Sequence, residues 1–181
     1  MFPQGQYKTI YIDPPWPERG GGKIKRGADR HYALMSIKEI KALPIASLAA
    51  PEGCHLYMWT TNNHLPDALE CVKAWGFQYV TLITWCKDSM GLGQYFRGMT
   101  EHCIFATTQK KLPYKLEEGK RMQGVTGFVE PKREHSRKPE TMRKMIERVS
   151  YTPRIELFAR RAAPGWKVWG NEAPEEQEAA T

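Results

Sequence analysis

Short apolar runs alternate with amphipathic stretches along the chain, and most are closed by proline, glycine or asparagine. Residues 8–13, KTIYID, predict a buried strand that stops at Pro14-Pro15, because proline has no N–H to give a ladder. Residues 16–31 form a glycine-rich basic loop. Residues 36–48 predict a helix interrupted near Pro44, with Ser36 as N-cap and Glu39 at the capping-box position. Residues 54–61, CHLYMWTT, predict a second strand, followed by Asn62 and Asn63 as helix-start signals. A helix over 64–75 is closed by Gly76. A third strand falls at 79–86, then a loop, KDSMGLGQYFRGMTE, then a fourth strand at 102–108. Residues 107–133 are polar and predict irregular structure. A helix over 138–149 has Pro139 at a tolerated early position, and strands follow at 154–159 and 166–169.

Strands that alternate with helical segments predict an α/β sheet covered on both faces. Ligands of such sheets gather at the carboxyl ends of strands. The turn at Asp13 and the segment after Phe158 both fall at such ends. The length of 181 residues fits a single domain, expected over 1–172, with 173–181 as an acidic and flexible tail.

Composition narrows the class. The 41% hydrophobic and 26% charged content is that of a globular protein, and no apolar run approaches the roughly 20 residues that span a bilayer. The first residues lack the charged leader and apolar stretch of a secretory signal, so a cytoplasmic protein is expected. Cys54, Cys71, Cys86 and Cys103 form no CxxC pair and are expected to be reduced structural thiols. None of the five histidines has metal-ligand spacing. Net charge is +7, and the last ten residues hold four acids and no base, which leaves +11 on the rest. The bases concentrate between Arg19 and Arg30 and between Lys132 and Lys144, a distribution that suits a polyanion as well as a solvated surface.

The chemistry rests on Asp13-Pro14-Pro15-Trp16 directly after a strand. An aromatic exocyclic amine is a poor nucleophile, because its lone pair is delocalised into the ring. Asp13 can accept one of its N–H groups, and a carbonyl of the stiff Pro14-Pro15 segment can accept the other. Trp16 offers a flat face for an extruded base, a contact worth about 1–3 kcal/mol. Alignment of this kind supplies roughly 7–11 kcal/mol without a strong general base. The competing reading is a turn with two prolines and a core tryptophan. Gly20-Gly21-Gly22-Lys23 is not a phosphate loop, since Ile24 stands where Ser or Thr is required. Lys23, Lys25 and Arg26 instead suit a loop that tracks a nucleic-acid backbone, and Tyr95-Phe96-Arg97 suits stacking on bases or packing of its own loop.

These residues, with GLGQYFRGMTEHC (91–103), SRKPE (136–140), RIELFARR (154–161) and GWKVWGNE (165–172), give a sequence that resembles the MT-A70 family of adenine-N6 methyltransferases over residues 7–172. The resemblance implies a Rossmann-like methyltransferase fold with circularly permuted motifs, in which the catalytic strand precedes the main cofactor strand. It implies S-adenosylmethionine as cofactor and adenine in a nucleic acid, DNA ahead of RNA, as acceptor. Asp13, Pro14, Pro15 and Trp16 match the catalytic tetrad. Ile12, Asp13, Lys138, Glu156, Phe158, Arg160, Asn171 and Glu172 match the cofactor site, and residues 95–101 match a mobile loop that closes over the pocket. The chain departs from larger relatives at Arg161-Ala162-Ala163, where they carry a His-Asn pair, and at Glu172, where glutamine is common.

Bland readings compete at several positions. Glu156 also fits a core ion-pair partner, for example of Arg160; Lys138 also fits a solvated helix start; Asn171 also fits a turn. Two other functions fit part of the pattern: a non-catalytic nucleic-acid-binding scaffold and a methyltransferase acting on a protein amide. A second copy or partner subunit is expected to complete the substrate groove.

Overall fold

The computed structural model describes residues 1–17, 34–91, 93, 95–132 and 137–170. Its strands and helices in order are β1 (Thr9–Ile12), α1 (Ile37–Lys41), β2 (His55–Thr60), α2 (Leu65–Ala74), β3 (Gln78–Cys86), β4 (Thr100–Thr107), β5 (Leu116–Glu117), β6 (Lys120–Arg121), β7 (Gly127–Val129), α3 (Glu140–Val149), β8 (Arg154–Leu157) and β9 (Lys167–Trp169). The main sheet has seven strands in the order β7-β3-β4-β2-β1-β8-β9. Its strands run parallel except β4, which is antiparallel to both β2 and β3. This mixed α/β arrangement is a Rossmann-like methyltransferase fold. The strand carrying the Asp13 turn, β1, stands first in the chain yet sits mid-sheet, beside the late strand β8.

Alternation along the strands divides the core into two layers. Ile10 and Ile12 of β1, Leu56 and Met58 of β2 and Ile155 and Leu157 of β8 face one side, packed on Ile40 of α1 and Ala68, Cys71 and Val72 of α2. Tyr11, Tyr57, Trp59, Ile83, Trp85 and Cys103 face the other, packed on Met142 and Ile146 of α3 and on Trp166. Both faces of the sheet are therefore covered.

Local signals explain several boundaries. Ser36 caps α1: Glu39 N donates to Ser36 Oγ at 3.2 Å while Ser36 N donates to Glu39 Oε2 at 2.7 Å. The helix is shorter than the pattern suggested, and Pro44 begins a separate 3-10 turn at Ile45–Leu48. Gly76 adopts φ +78°, a left-handed conformation that closes α2 with little steric cost. The polar stretch 107–133 is not wholly irregular. It holds the two-stranded β5–β6 ribbon and the edge strand β7, which pairs in parallel with Thr84, Trp85 and Cys86 of β3. No local pattern announces β7, which is short and largely exposed and whose partner lies 43 residues earlier in the chain.

The four cysteines are free, and burial pushes the Cys54 thiol up to about 12 and that of Cys71 to about 11. Such thiols are inert at neutral pH. Among the described residues no helix is long and apolar enough to cross a membrane.

Candidate active site

β1 and β8 end level, with Ile12 opposite Leu157, and Asp13 N donates to Leu157 O at 3.4 Å. Asp13 thus emerges at the carboxyl edge of the sheet. The two prolines that follow deny the strand further donors and turn the chain tightly. Trp16 N donates to Pro14 O at 2.9 Å, and Met35 N donates to Pro15 O at 3.0 Å. Each carbonyl keeps a second lone pair. Trp16 is fixed twice: its Nε1 donates to Trp59 O at 3.0 Å, and its ring stacks on His64 at 5.1 Å with an 11° tilt. His64 in turn bonds Pro17 O at 2.8 Å and lies 3.2 Å from Asp67 Oδ2.

A chain of four charges crosses the site. Lys138 Nζ lies 2.9 Å from Asp13 Oδ2 and 3.2 Å from Glu101 Oε2, and Lys87 closes on the other Glu101 oxygen. Burial works against the Lys138 charge, but Asp13 and Glu101 outweigh it and raise its pKa above the ordinary lysine value. Burial likewise works against the Glu101 carboxylate, which Lys138 and Lys87 nevertheless hold below the usual range. Both ammonium groups rest on indoles: Lys138 lies 5.4 Å from the Trp59 ring and Lys87 4.9 Å from that of Trp85.

Beside Asp13 opens a cavity of about 650 Å³. It is lined by Tyr11 and Asp13 of the first strand and its turn, by 137–140 and Arg143 around the start of α3, by Glu156 and Phe158, and by 160–164. Phe158 has φ 59°, a left-handed backbone unusual for a bulky residue, and this bend directs Arg160 and its successors around the cavity. Gly170 is pressed against the same bend: a Cβ there would meet Ala159 O at 2.5 Å and Phe158 C at 3.0 Å. Burial pushes the Glu156 carboxyl up to about 7, with Arg143 pulling down and Asp13 and Glu140 pushing up.

Of the residues singled out from sequence, Asp13, Lys138, Glu156, Phe158 and Arg160 meet at this cavity. Ile12 does not: its side chain is wholly buried in the opposite core layer, one step out of phase with Tyr11. Pro14 is buried, Pro15 and Trp16 are half-buried, and all three stand in the turn beside the cavity rather than in its wall. Glu156 is ion-paired with Arg143 at 2.8 Å, because α3 packs on the Glu156 face of the sheet. Tyr95 and Phe96 stand out in solvent, 94% and 92% exposed, on the loop between β3 and β4. That loop is closed at its neck by Lys87 N donating to Met99 O at 2.7 Å, and within it Arg97 Nε donates to Gly91 O at 2.9 Å. Lys23, Lys25, Arg26, Asn171 and Glu172 lie outside the described residues.

Glu101, Lys87, Arg143, Tyr11 and Trp59 were not singled out. Strand alternation carried a signal for Tyr11, two positions before Asp13 and hence on its face. For Glu101 the signal was a carboxylate at the mouth of an otherwise apolar strand. Arg143 gave none, since a basic residue on an amphipathic helix is ordinary.

A parallel-biased sheet with a polar cavity and a proline-fixed carboxylate at its carboxyl edge defines the class of an α/β transferase of the Rossmann-like kind. The chain belongs to the MT-A70 family, whose model matches residues 7–172. It is 30% identical to the Type II methyltransferase M.MunI of a Mycoplasma species, over 97% of this chain and 81% of that enzyme. It is 29% identical to the N6-methyladenosine RNA methyltransferase MTA1 of Cryphonectria parasitica, over 92% of this chain and 51% of that protein. It is 27% identical to the human N(6)-adenosine-methyltransferase catalytic subunit METTL3, over 93% of this chain but 28% of that subunit.

Proposed function

We propose that this chain is an S-adenosylmethionine-dependent methyltransferase acting on the N6 amine of adenine in nucleic acid, DNA in preference to RNA. The observation that carries the reading is Asp13: a carboxylate on a proline-stiffened turn, held by Lys138 at 2.9 Å, at the edge of a polar cavity of about 650 Å³. The preference for DNA draws on coverage of 81% of the Type II methyltransferase against 51% of the relative named for RNA.

The cavity suits the cofactor in size and charge. Pockets for ligands of this size run to about 300–1,000 Å³. Its wall carries the carboxylates Asp13, Glu140 and Glu156 and the cations Arg137, Lys138, Arg143, Arg160 and Arg161, which match a ligand bearing both signs. S-adenosylmethionine, when bound, supplies a methyl group on a positively charged sulfur. Asp13 accepts one N–H of the adenine amine and the free lone pair of Pro14 O accepts the other, which draws the nitrogen toward tetrahedral geometry. Lys138 balances the Asp13 charge and fixes its carboxylate, so that little reorganisation remains for the transition state. Trp16, clamped from behind by His64, supplies the stacking surface for the base, and Tyr95 and Phe96 engage neighbouring nucleotides. In a duplex the base must first be turned out, at a cost of about a few kcal/mol. The protein works in the cytoplasm, and a second copy or partner subunit completes the substrate groove. Full activity of a strictly monomeric preparation would refute that last point.

The test is incubation with methyl-labelled cofactor and separate adenine-containing DNA and RNA oligomers, followed by digestion to nucleosides. Labelled N6-methyladenine is expected, chiefly from DNA. Asp13→Ala should lower turnover at least about 100-fold with an unchanged circular dichroism spectrum. Label on protein rather than nucleic acid would support the amide reading, and undiminished turnover by Asp13→Ala would defeat the role given to this carboxylate.

A further inference from the structure

A polar cluster around Glu156 lies at the cavity floor. Tyr11 of β1 and Glu156 of β8 are register partners, so both side chains rise on the α3 face of the sheet. Arg143 reaches down from α3, stacks 5.6 Å from the Trp166 ring and lies 3.4 Å from Glu140 Oε1 through its Nε. Its Nη2 lies 2.8 Å from Glu156 Oε2, and its Nη1 is buried with no hydrogen-bond partner among the described residues. A guanidinium nitrogen left so beside a cavity marks a cluster that a bound group completes.

Resting on the methyltransferase reading, which already counts Glu156 among the cofactor residues, we propose that Arg143 is the positioning residue that aims this carboxylate and keeps it in the ionised form that binds. Cofactor affinity is thereby tied to one proton. An ionised carboxylate accepts hydrogen bonds from hydroxyl or ammonium groups and attracts the cofactor's positive charge, whereas the protonated form does neither as well. The groups that face Glu156 set this balance. Arg143 favours ionisation; Glu140 of α3 and Asp13 after β1 oppose it; burial opposes it most, and the outcome is a carboxyl at about 7. Lys138 is engaged with Asp13 and Glu101, and Arg160 lines the cavity wall beyond Phe158. Tyr11 is itself buried, with its hydroxyl accepting from Trp59 Nε1 and its pKa well above the ordinary value, so it stays neutral across this range.

The experiment is calorimetric titration of the whole chain with S-adenosylhomocysteine and with S-adenosylmethionine between pH 5.5 and 8.5, read as Kd and requiring no turnover. For the wild-type protein Kd should tighten up to about tenfold per pH unit below a midpoint near neutrality. Glu156→Gln should give a weak affinity that lacks this proton-linked component. Arg143→Met should move the midpoint to higher pH, because a cation that favours ionisation is gone, and Arg143→Lys should restore it. A residue that merely filled space would change affinity without moving the midpoint. Should Arg143→Met fail to fold, Arg143→Lys and Glu156→Gln still decide the matter. A wild-type profile no steeper than that of Glu156→Gln, or a midpoint indifferent to the charge at 143, overturns the proposal. Proton-independent binding would sink this inference alone; no binding at any pH would sink the methyltransferase reading as well.

Discussion

Acidification should unfold this protein through His55. The ring is buried under the start of β2, with Nδ1 2.7 Å from Ser150 Oγ, which in turn meets Tyr57 OH at 2.8 Å. Phe105 presses its edge against the same ring at 5.1 Å and 88°. Ser150 is the hydrogen-bond partner of the ring, and a neutral hydroxyl and an aromatic neighbour do little for a charged imidazole. Burial accordingly lowers its pKa from 6.5 to about 4. The folded value lies below the unfolded one, so this contribution is fully present above pH 6.5 and is lost as pH falls toward 4. Each unit of displacement is worth about 1.4 kcal/mol, which puts the loss at about 3 kcal/mol. That is a large share of the ~5–15 kcal/mol by which a domain is folded. The assay is urea unfolding of the wild-type chain and of His55→Gln at several pH values from 7.5 to 4.5. Glu39 and Glu101 also have depressed carboxyls and titrate in both proteins, so the difference between the two curves isolates the imidazole. The variant should start lower, for want of its packing, yet lose about 3 kcal/mol less on the way down. Parallel curves would show that His55 carries no such charge penalty, and the reasoning would fail.

Three further outcomes follow from the same geometry. Lys138→Met removes the cation shared by Asp13 and Glu101, so it should cost about 3 kcal/mol at pH 7.5; unchanged thermal melts would contradict this. Gly170→Ala drives a methyl group into the Ala159 backbone at 2.5 Å, so it should cost roughly 1–3 kcal/mol and weaken cofactor binding by displacing Phe158 and Arg160; unchanged melting and Kd would refute it. Ser36→Ala removes the hydroxyl side of the capping box on α1 and should lower stability by about 1 kcal/mol in denaturant titrations without touching cofactor affinity; a shift in that affinity would show α1 to be coupled to the site.

What could be read from the chain alone was whatever depends on neighbours in sequence. Ser36 and Glu39 announce a cap at a fixed spacing, and the apolar runs around Ile10, Leu56 and Ile155 announce strands. Asp13, Phe158 and Arg160 fall at strand ends, where parallel sheets gather their chemistry, so their meeting was foreseeable. Glu101 reaches Lys138 only because β4 is inserted backwards between β2 and β3, and nothing local to Glu101 encodes that order. Arg143 finds Glu156 only because α3 crosses that face, so a helix-surface base became a buried partner. The place of Ile12 follows from the same alternation: adjacent positions of a strand point to opposite faces, so its side chain turns away from Tyr11.

The reversed course of β4 has a consequence for how selectivity evolves. Since β3 and β4 form one antiparallel hairpin, the chain returns beside the point at which it left, and Asn62 tethers that return through Thr100 Oγ1 at 3.1 Å and His102 Nε2 at 2.9 Å. A tip of different length or composition can be grafted between those rungs without shifting a single rung of the sheet beneath. The loop between β3 and β4 is thus free to drift, while the rungs under it hold Glu101 against Lys138.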